Sequence, residues 1–516
     1  MLVLSNLSYA LPNGDALFSN LSFSCSPSDH VTALIGRNGI GKSTLLRCIA
    51  EQVSGVSVSG TLLTYEQASA EHVSALRVID ALGQGLYFDA LLRVEQGVPE
   101  EADIDLLEQH WQVRELATAW LDDAHLSLDL QQPLHTLSGG QRTKVRLIGL
   151  FQQQPDVLLL DEPSNHLDKA STQWLIKQLQ HTNSTVLLVS HDATLLNSVK
   201  HFLVLDEQGV TPHQMDFGSL RALLEKQRQD TQKAISHAKA QLKKEQREQQ
   251  ARELKAEQRQ RQGEAERQSG SQSKLLLDRK KNKAQAQTGA QKRVAEQRSQ
   301  ALQVHLRQQQ SQQTQVSKLQ LSLAGQTKGQ RRVLDIFQGV LPYGDATPIT
   351  ISLERGERLR LEGANGSGKS TLIQCILGQQ PLLAGELKQH TEALYLDQHL
   401  SLLDQYTSPL ALLQEQLPRF DLSTLRTLLG SIGLRADRVF LPCSHLSGGE
   451  RMKVALLLIS QLPSEGLLIL DETDNHLDLD SQAQLAAALE HYQGALIFVT
   501  HQDHWLRADL VLTLAG

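Results

Sequence analysis

Cysteine is scarce in this chain: 516 residues hold four, Cys25, Cys48, Cys375 and Cys443, and no two form a CxxC pair. That excludes a disulfide framework and a zinc module and leaves reduced thiols as the expectation. Long apolar runs are missing too. Nowhere do 18 apolar residues follow one another, so no transmembrane helix is expected. The opening MLVLSNLSYA has no basic stretch ahead of an apolar run, so the sequence reads as a soluble, unprocessed, cytoplasmic protein.

Net charge is small and unevenly spread. The chain carries 50 Lys+Arg and 57 Asp+Glu, a net of −7, yet residues 221–313 hold 22 Lys+Arg against 10 Asp+Glu, net +12, which leaves −19 on the rest. A basic middle on acidic flanks points either to a polyanion contacted by that stretch or to a solvated helical hairpin kept soluble by its charge. The length also exceeds the roughly 250–300 residues that one hydrophobic core organises, so two globular domains and a connector follow.

An internal repeat supports that count. Ahead of the basic stretch stand GRNGIGKST (Gly36–Thr44), LSGGQ (Leu137–Gln141), VLLLDE (Val157–Glu162) and VSHD (Val189–Asp192). Behind it stand GANGSGKST (Gly363–Thr371), LSGGE from Leu446, LLILDE ending in Asp471 and Glu472, and VTHQ with His501. Lys42 to Lys369 is a shift of 327 residues and Ser138 to Ser447 one of 309, while Asp161 to Asp471 and His191 to His501 are both 310. The chain therefore divides into a first α/β domain, 1–218, a linker, 219–315, and a second α/β domain, 316–516.

VTALI (Val31–Ile35) is a short buried strand that runs into Gly36, Arg37, Asn38, Gly39, Ile40, Gly41, Lys42, Ser43 and Thr44, followed by a helical run. Strand, glycine-rich loop and helix are the setting that a phosphate-binding loop needs. Glycines let successive backbone N–H groups turn in on phosphates and the helix N-terminus adds its dipole; Lys42 neutralises β/γ oxygens and Ser43 offers a hydroxyl to Mg²⁺. Gly363, Asn365, Gly366, Gly368, Lys369, Ser370 and Thr371 repeat the set. Gln67 follows TLLTYE and Gln398 follows ALYLD, where an amide can span Mg²⁺ and the attacking water.

Asp161 and Asp471 end apolar strands, where they can hold Mg²⁺ through water; Glu162 and Glu472 beside them can orient or deprotonate the attacking water. The strands VLLV and LIFV deliver His191 and His501 toward a γ-phosphate. LSGGQ opens another helix. Ser138 with the N–H groups of Gly139 and Gly140, and Ser447 with Gly448 and Gly449, form further anion-binding helix starts, which must face a different phosphate from the loops. The plainer reading of Ser138 is a helix N-cap. Between loop lysine and LSGG leucine the first copy has 95 residues and the second 77, so the first carries 18 more, placed near SAEHVSALRVIDALGQGLYFDALLRVEQG as amphipathic helix.

These motifs resemble the ATP-binding cassette superfamily, and specifically its ABC-F class: two cassettes in one polypeptide, with EPSNHLD (Glu162–Asp168) and ETDNHLD at the catalytic acids. The resemblance covers nearly the whole chain. It implies an α/β fold of two P-loop cassettes joined by a long α-helical hairpin, with ATP and Mg²⁺ as cofactors. It also implies a monomer whose cassettes form a head-to-tail sandwich, Ser138 facing the nucleotide on Lys369 and Ser447 the one on Lys42. For the adenine-stacking aromatic, Tyr9 matches, 27 residues before the first loop; Tyr343, at a spacing of 20, is the choice for the second, and Phe337, at 26, is the alternative. Thr473 and Asp474 in place of Pro and Thr, LSGGE for LSGGQ, and Gln502 opposite Asp192 are departures that leave the phosphate and metal ligands in place. Two hydrolysis-competent sites are expected, the second differing in rate.

In the ABC-F class the middle segment is a hairpin that reaches from the ribosomal E site toward the P-site tRNA and the peptidyl-transferase centre. The resemblance thus implies the ribosome, through rRNA and tRNA, as partner, no membrane, and control of translation or protection from antibiotics. Residues 219–266, if helical throughout, span about 70 Å at 1.5 Å per residue. Ser269 to Gly289 bracket a turn region holding KLLLDRKKNK, whose Leu275, Leu276 and Leu277 either pack within the tip or touch RNA. Rival readings are the ATPase pair of a transporter, for which a +12 spacer has no use; a DNA-repair ATPase, whose zinc modules need the missing CxxC pairs; and a regulatory ATPase whose hairpin binds protein.

Overall fold

The computed structural model describes residues 1–10, 14, 16–66, 76–165, 167–206, 208–268, 332–397, 400–434, 436–446, 448–461, 466–473, 479–490, 492–500 and 506–515. Its contacts divide the chain into two units, Met1–Phe217 with Leu319–Gly516, and Gly218–Lys318.

Short runs of branched residues and leucine bounded by polar turns form strands buried on both faces, as a parallel sheet requires. Val157–Asp161, Thr185–Val189 and Ala495–Val499 are of this kind. In the first copy the strand order is Leu62–Tyr65, Val157–Asp161, Thr185–Val189, Val31–Gly36, His201–Asp206 and Gly209–Gln214, parallel except for the last pair. The second copy repeats it with Ala393–Leu396, Leu467–Asp471, Ala495–Val499, Arg358–Gly363 and Leu510–Leu514, all parallel. The registers agree to the residue. Asp161 lies opposite Val189, and Val189 opposite Leu34, two residues before Gly36; Asp471 lies opposite Val499, and Val499 opposite Leu361, two before Gly363. The expected α/β fold is present twice, each time with its glycine loop and acids at the carboxyl ends of the strands, where ligands bind in such sheets.

Each copy adds a three-stranded antiparallel sheet: Ala16–Cys25, Leu2–Ala10 and Val56–Val58 in the first, Ile349–Glu354, Arg332–Val340 and Ala384–Gln389 in the second. All four cysteines are free and buried, and Cys48 and Cys375 occupy equivalent positions on the helices Lys42–Ala50 and Lys369–Ile376.

The extra length of the first copy is helical. Val78–Ala81, Gly85–Glu95, Glu101–Leu107 and Val113–Asp123 stand where the second has Pro409–Gln416 and Leu422–Ser431. Arg77 bridges Asp80 and Asp89, each at 2.8 Å, Arg93 pairs with Asp103, and Tyr87 stacks on His110 at 3.7 Å between ring centroids. The Arg77 hydrogen bond holds the Asp80 carboxyl below the usual carboxylate range. This helical segment is seated on the helix Gly139–Gln152 at Gly149, where an added Cβ would overlap the Ala81 carbonyl oxygen. The second copy carries a fully buried Leu458 at the corresponding position.

Of the linker, one helix of 52 residues runs Phe217–Gln268, about 78 Å at 1.5 Å per residue. The expected turn region from Ser269 to Gly289, with Leu275, Leu276 and Leu277, and the returning helix lie outside the described residues. Among the described residues no helix is long and apolar enough to cross a membrane.

Gly149→Ala is expected to lower the thermal unfolding midpoint by several degrees, because overpacking a tight contact costs about 1–3 kcal/mol. A calorimetric midpoint equal to that of the parent would show that the helix Val78–Ala81 yields without cost.

Candidate nucleotide-binding sites

The chain leaves Val31–Gly36 through a loop whose conformation demands glycine. At Gly36 a Cβ would stand 2.6 Å from the Leu205 carbonyl oxygen, and at Gly41, with φ +106°, 2.7 Å from the Phe18 ring. The helix Lys42–Ala50 starts at once, and the buried Lys42 folds back so that its Nζ donates to the Gly36 and Arg37 carbonyls at 2.7 and 3.2 Å. The second loop is built alike. Gly368 has φ +102°, and Lys369, also buried, donates from Nζ to the Gly363 and Ala364 carbonyls at 2.7 and 3.0 Å. The two loops thus hold a lysine ammonium in a ring of backbone at a helix N-terminus, a setting made for phosphate.

The acids arrive from the strand two places away, beyond Thr185–Val189. Burial raises the Asp161 carboxyl above the ordinary range, opposed by a hydrogen bond from the Ser43 hydroxyl and by the Lys42 ammonium. This pair of hard oxygen donors suits Mg²⁺. Glu162 sits at φ +50°, with its N–H on the Val189 carbonyl at 2.9 Å. Burial, with Asp161 beside it, pushes its carboxyl well above the usual range, and Lys42 pulls the other way. The buried His191 faces it, its backbone N–H 3.3 Å from Oε2 and its Nε2 3.4 Å from Oε1.

In the second copy Glu472 takes the same φ of +50°, its N–H 3.1 Å from the Val499 carbonyl. Burial and Glu472 raise the Asp471 carboxyl to about 6, opposed by Tyr395 and Lys369. Tyr395 donates its hydroxyl to Asp471 Oδ2 at 3.1 Å. Thr473 is buried where the first copy has the buried Pro163.

Ser138 caps the helix Gly139–Gln152. Its hydroxyl accepts from the Gln141 N–H at 3.3 Å and its own N–H donates to Gln141 Oε1 at 3.1 Å, so the plainer of its two readings is realised in this state. Tyr9 lies half-buried opposite Phe18. Tyr343 is 72% exposed, with its carbonyl oxygen within 3.0 Å of where a Cβ on Gly368 would stand; Phe337 lies within a strand opposite Glu386. Gln67, Gln398, Ser447 and His501 lie outside the described residues.

Two contacts were not anticipated from the motifs. Asp168 caps the helix Lys169–His181 through the Ser171 N–H at 2.9 Å and also accepts from the backbone N–H of Asn365, in the second glycine loop. Burial alone would raise its carboxyl; these donors and the Lys144 ammonium hold it below the usual range. Burial lowers the proton affinity of Lys369, and Glu472, Asp168 and Asp471 oppose that loss, so a carboxylate of the first copy acts on the second loop. Tyr395 is the other contact; its only signal in the sequence is an aromatic three residues before Gln398.

A family profile described as ABC transporter matches residues 18–165 and 346–475, taking in both glycine loops and both acid strands. The chain belongs to the ABC transporter family. It is a twin-cassette protein, homologous over nearly its full length to ABC-F members. The ribosome protection protein VmlR of Bacillus subtilis (strain 168) is 29% identical, over 98% of this chain and 85% of that one. ATP-binding cassette sub-family F member 3 of Rattus norvegicus is 27% identical, over 92% of this chain and 65% of that one. Among solved structures, the archaeal ribosome recycling factor aABCE1, in complex with the stalk protein aP1, aligns with a TM-score of 0.55 over 98% of this chain and 87% of that one. At 16% identity that likeness is one of fold. Cassettes of this family imply ATP binding and hydrolysis.

Each cassette should bind one nucleotide through its own lysine. Titration with a fluorescent ATP analogue should give two sites in the parent protein, one in Lys42→Met or Lys369→Met, and none in the double variant. Two sites persisting in either single variant would remove the lysines from nucleotide binding.

Proposed function

We propose that the chain is an Mg²⁺-dependent ATPase of the ABC-F type that acts on the ribosome, with two nucleotide sites controlling how a basic linker engages RNA. The observation that carries this is the pairing of two nearly identical lysine-and-acid sites with a linker whose residues 221–313 hold a net +12. Similarity over 98% of the chain to a protein named for ribosome protection supports the choice of partner. The Asp168–Asn365 contact supports a head-to-tail cassette sandwich, with Ser138 serving the Lys369 nucleotide and Ser447 the one on Lys42.

In this reading Lys42 and Lys369 exchange loop carbonyls for the β/γ oxygens of ATP, and the N–H groups of Gly39, Gly41, Gly366 and Gly368 close around the phosphates. Tyr9 and Tyr343 stack on the adenines. Mg²⁺, held by Ser43, Asp161 and Gln67, and again by Ser370, Asp471 and Gln398, would neutralise phosphate charge. Glu162 and Glu472 orient the attacking water and take its proton, a task that suits a carboxylate with raised proton affinity; His191 and His501 contact the γ-phosphate. ATP closes the sandwich, closure fixes the linker in an RNA-binding geometry, and hydrolysis releases it. The linker reaches toward tRNA and the peptidyl-transferase centre, where it modulates translation or protects it from antibiotics.

The Glu162→Gln, Glu472→Gln double variant should co-sediment with ribosomes when ATP is present, because it closes without turning over. Finding it free of ribosomes at low salt with ATP would sink the reading. In the same assay, replacing Lys243, Lys244 and Arg247 by Ala should weaken binding and flatten its salt dependence. The expected drop in log–log slope is roughly 0.7–0.9 for each phosphate that the variant no longer neutralises. An unchanged slope would take these residues off the RNA.

A further inference from the structure

The two cassettes hold their strand-end aspartates by different means. Asp161 accepts the hydroxyl of Ser43, from its own phosphate loop. Asp471 accepts the hydroxyl of Tyr395, from the edge strand Ala393–Leu396, at 3.1 Å. The register explains why the first copy cannot use the tyrosine. Tyr395 lies opposite Ile469, two residues before Asp471; Leu159, two before Asp161, has Thr64 opposite it. A threonine in that place lacks the length that lets a phenol reach the carboxylate.

We propose that Tyr395 is a positioning residue of the second nucleotide site, one that keeps Asp471 oriented whether or not divalent cation and nucleotide are bound. This rests on the reading of Asp471 as a ligand for the cation of a second ATP site. In that reading the Ser43 O–H stays on Asp161 while an oxygen lone pair goes to the cation, so the first aspartate too has a tether, supplied by the phosphate loop itself. Tyr395 belongs to neither the loop nor the nucleotide, so its hydrogen bond survives filling and Asp471 needs no reorientation. Preorganisation of this kind strengthens binding by removing an ordering cost, and loss of such an outer partner typically lowers metal affinity about 10–100-fold. The second site should therefore lose affinity for divalent cation with nucleotide when the Tyr395 hydroxyl is removed.

The test uses the full chain, with Mn²⁺ as the probe read by electron paramagnetic resonance in the presence of ADP. Lys42→Met leaves the second site alone; Lys369→Met leaves the first. The expected result is about a tenfold loss of Mn²⁺ uptake when Tyr395→Phe is added to Lys42→Met. Tyr395→Phe added to Lys369→Met should change nothing. Phenylalanine keeps the ring, so the thermal midpoint and cation-free nucleotide binding should stay at parental values. Mn²⁺ uptake in Lys42→Met that Tyr395→Phe leaves within twofold overturns the proposal alone. No nucleotide-dependent uptake in Lys42→Met overturns the second ATP site and the proposal with it.

Discussion

A buried ammonium set against half-buried carboxylates is the interaction on which both cassettes depend. Lys42 and Lys369 are 7% and 8% exposed, and neither can stay charged there without compensation. Compensation comes in two forms. The loop carbonyls of Gly36 and Arg37, or of Gly363 and Ala364, take hydrogen bonds, while Asp161 with Glu162, or Asp471 with Glu472, supply opposite charge. Each partner constrains the rest of the fold. The carbonyls are reachable only because the loop turns tightly through a glycine at positive φ, and the acids end a strand two places from the loop strand, with Thr185–Val189 or Ala495–Val499 between.

Identical registers convert this local chemistry into a repeated architecture. Glu162 and Glu472 both adopt φ +50°, a region that costs a residue with a Cβ on the order of 1 kcal/mol or more. Both are held there by a hydrogen bond to the last residue of the next strand, Val189 or Val499. There each carboxylate feels the ammonium of its own loop. A phosphate entering either loop would take over the role of the carbonyls and meet the lysine and glutamate already in place, so little reorganisation would accompany binding.

What could be read in the sequence was whatever is encoded over a few consecutive residues. The glycine loops, the strand-end acids, the apolar strands and the buried Cys48 and Cys375 follow from local pattern and repeat, because strand, loop and helix are contiguous there. The greater helical length of the first copy was legible from spacing, but its seat at Gly149 against Ala81 was not, since two segments far apart in sequence meet there. The Asp168–Asn365 contact was hidden for the same reason: it joins residues of different cassettes. Ser138 illustrates a different limit. One short motif supports both a capping box and an anion site, and the capping box is the form that satisfies the helix start without a ligand.

The duplicated halves have drifted where register allowed a substitute and stayed fixed where it did not. Gly149 and Leu458 answer the same packing problem in opposite ways, one admitting a close backbone and the other filling the space with a side chain. Ser43 and Tyr395 likewise tether equivalent aspartates from different directions. The lysines, glutamates and their strand registers admit no such exchange, because each is bound by charge and backbone geometry together. Inequivalence of the two sites therefore arises in the groups that hold the candidate residues. The Asp168 contact adds an interaction that crosses cassettes, because a first-cassette carboxylate bears on the ammonium of the second loop.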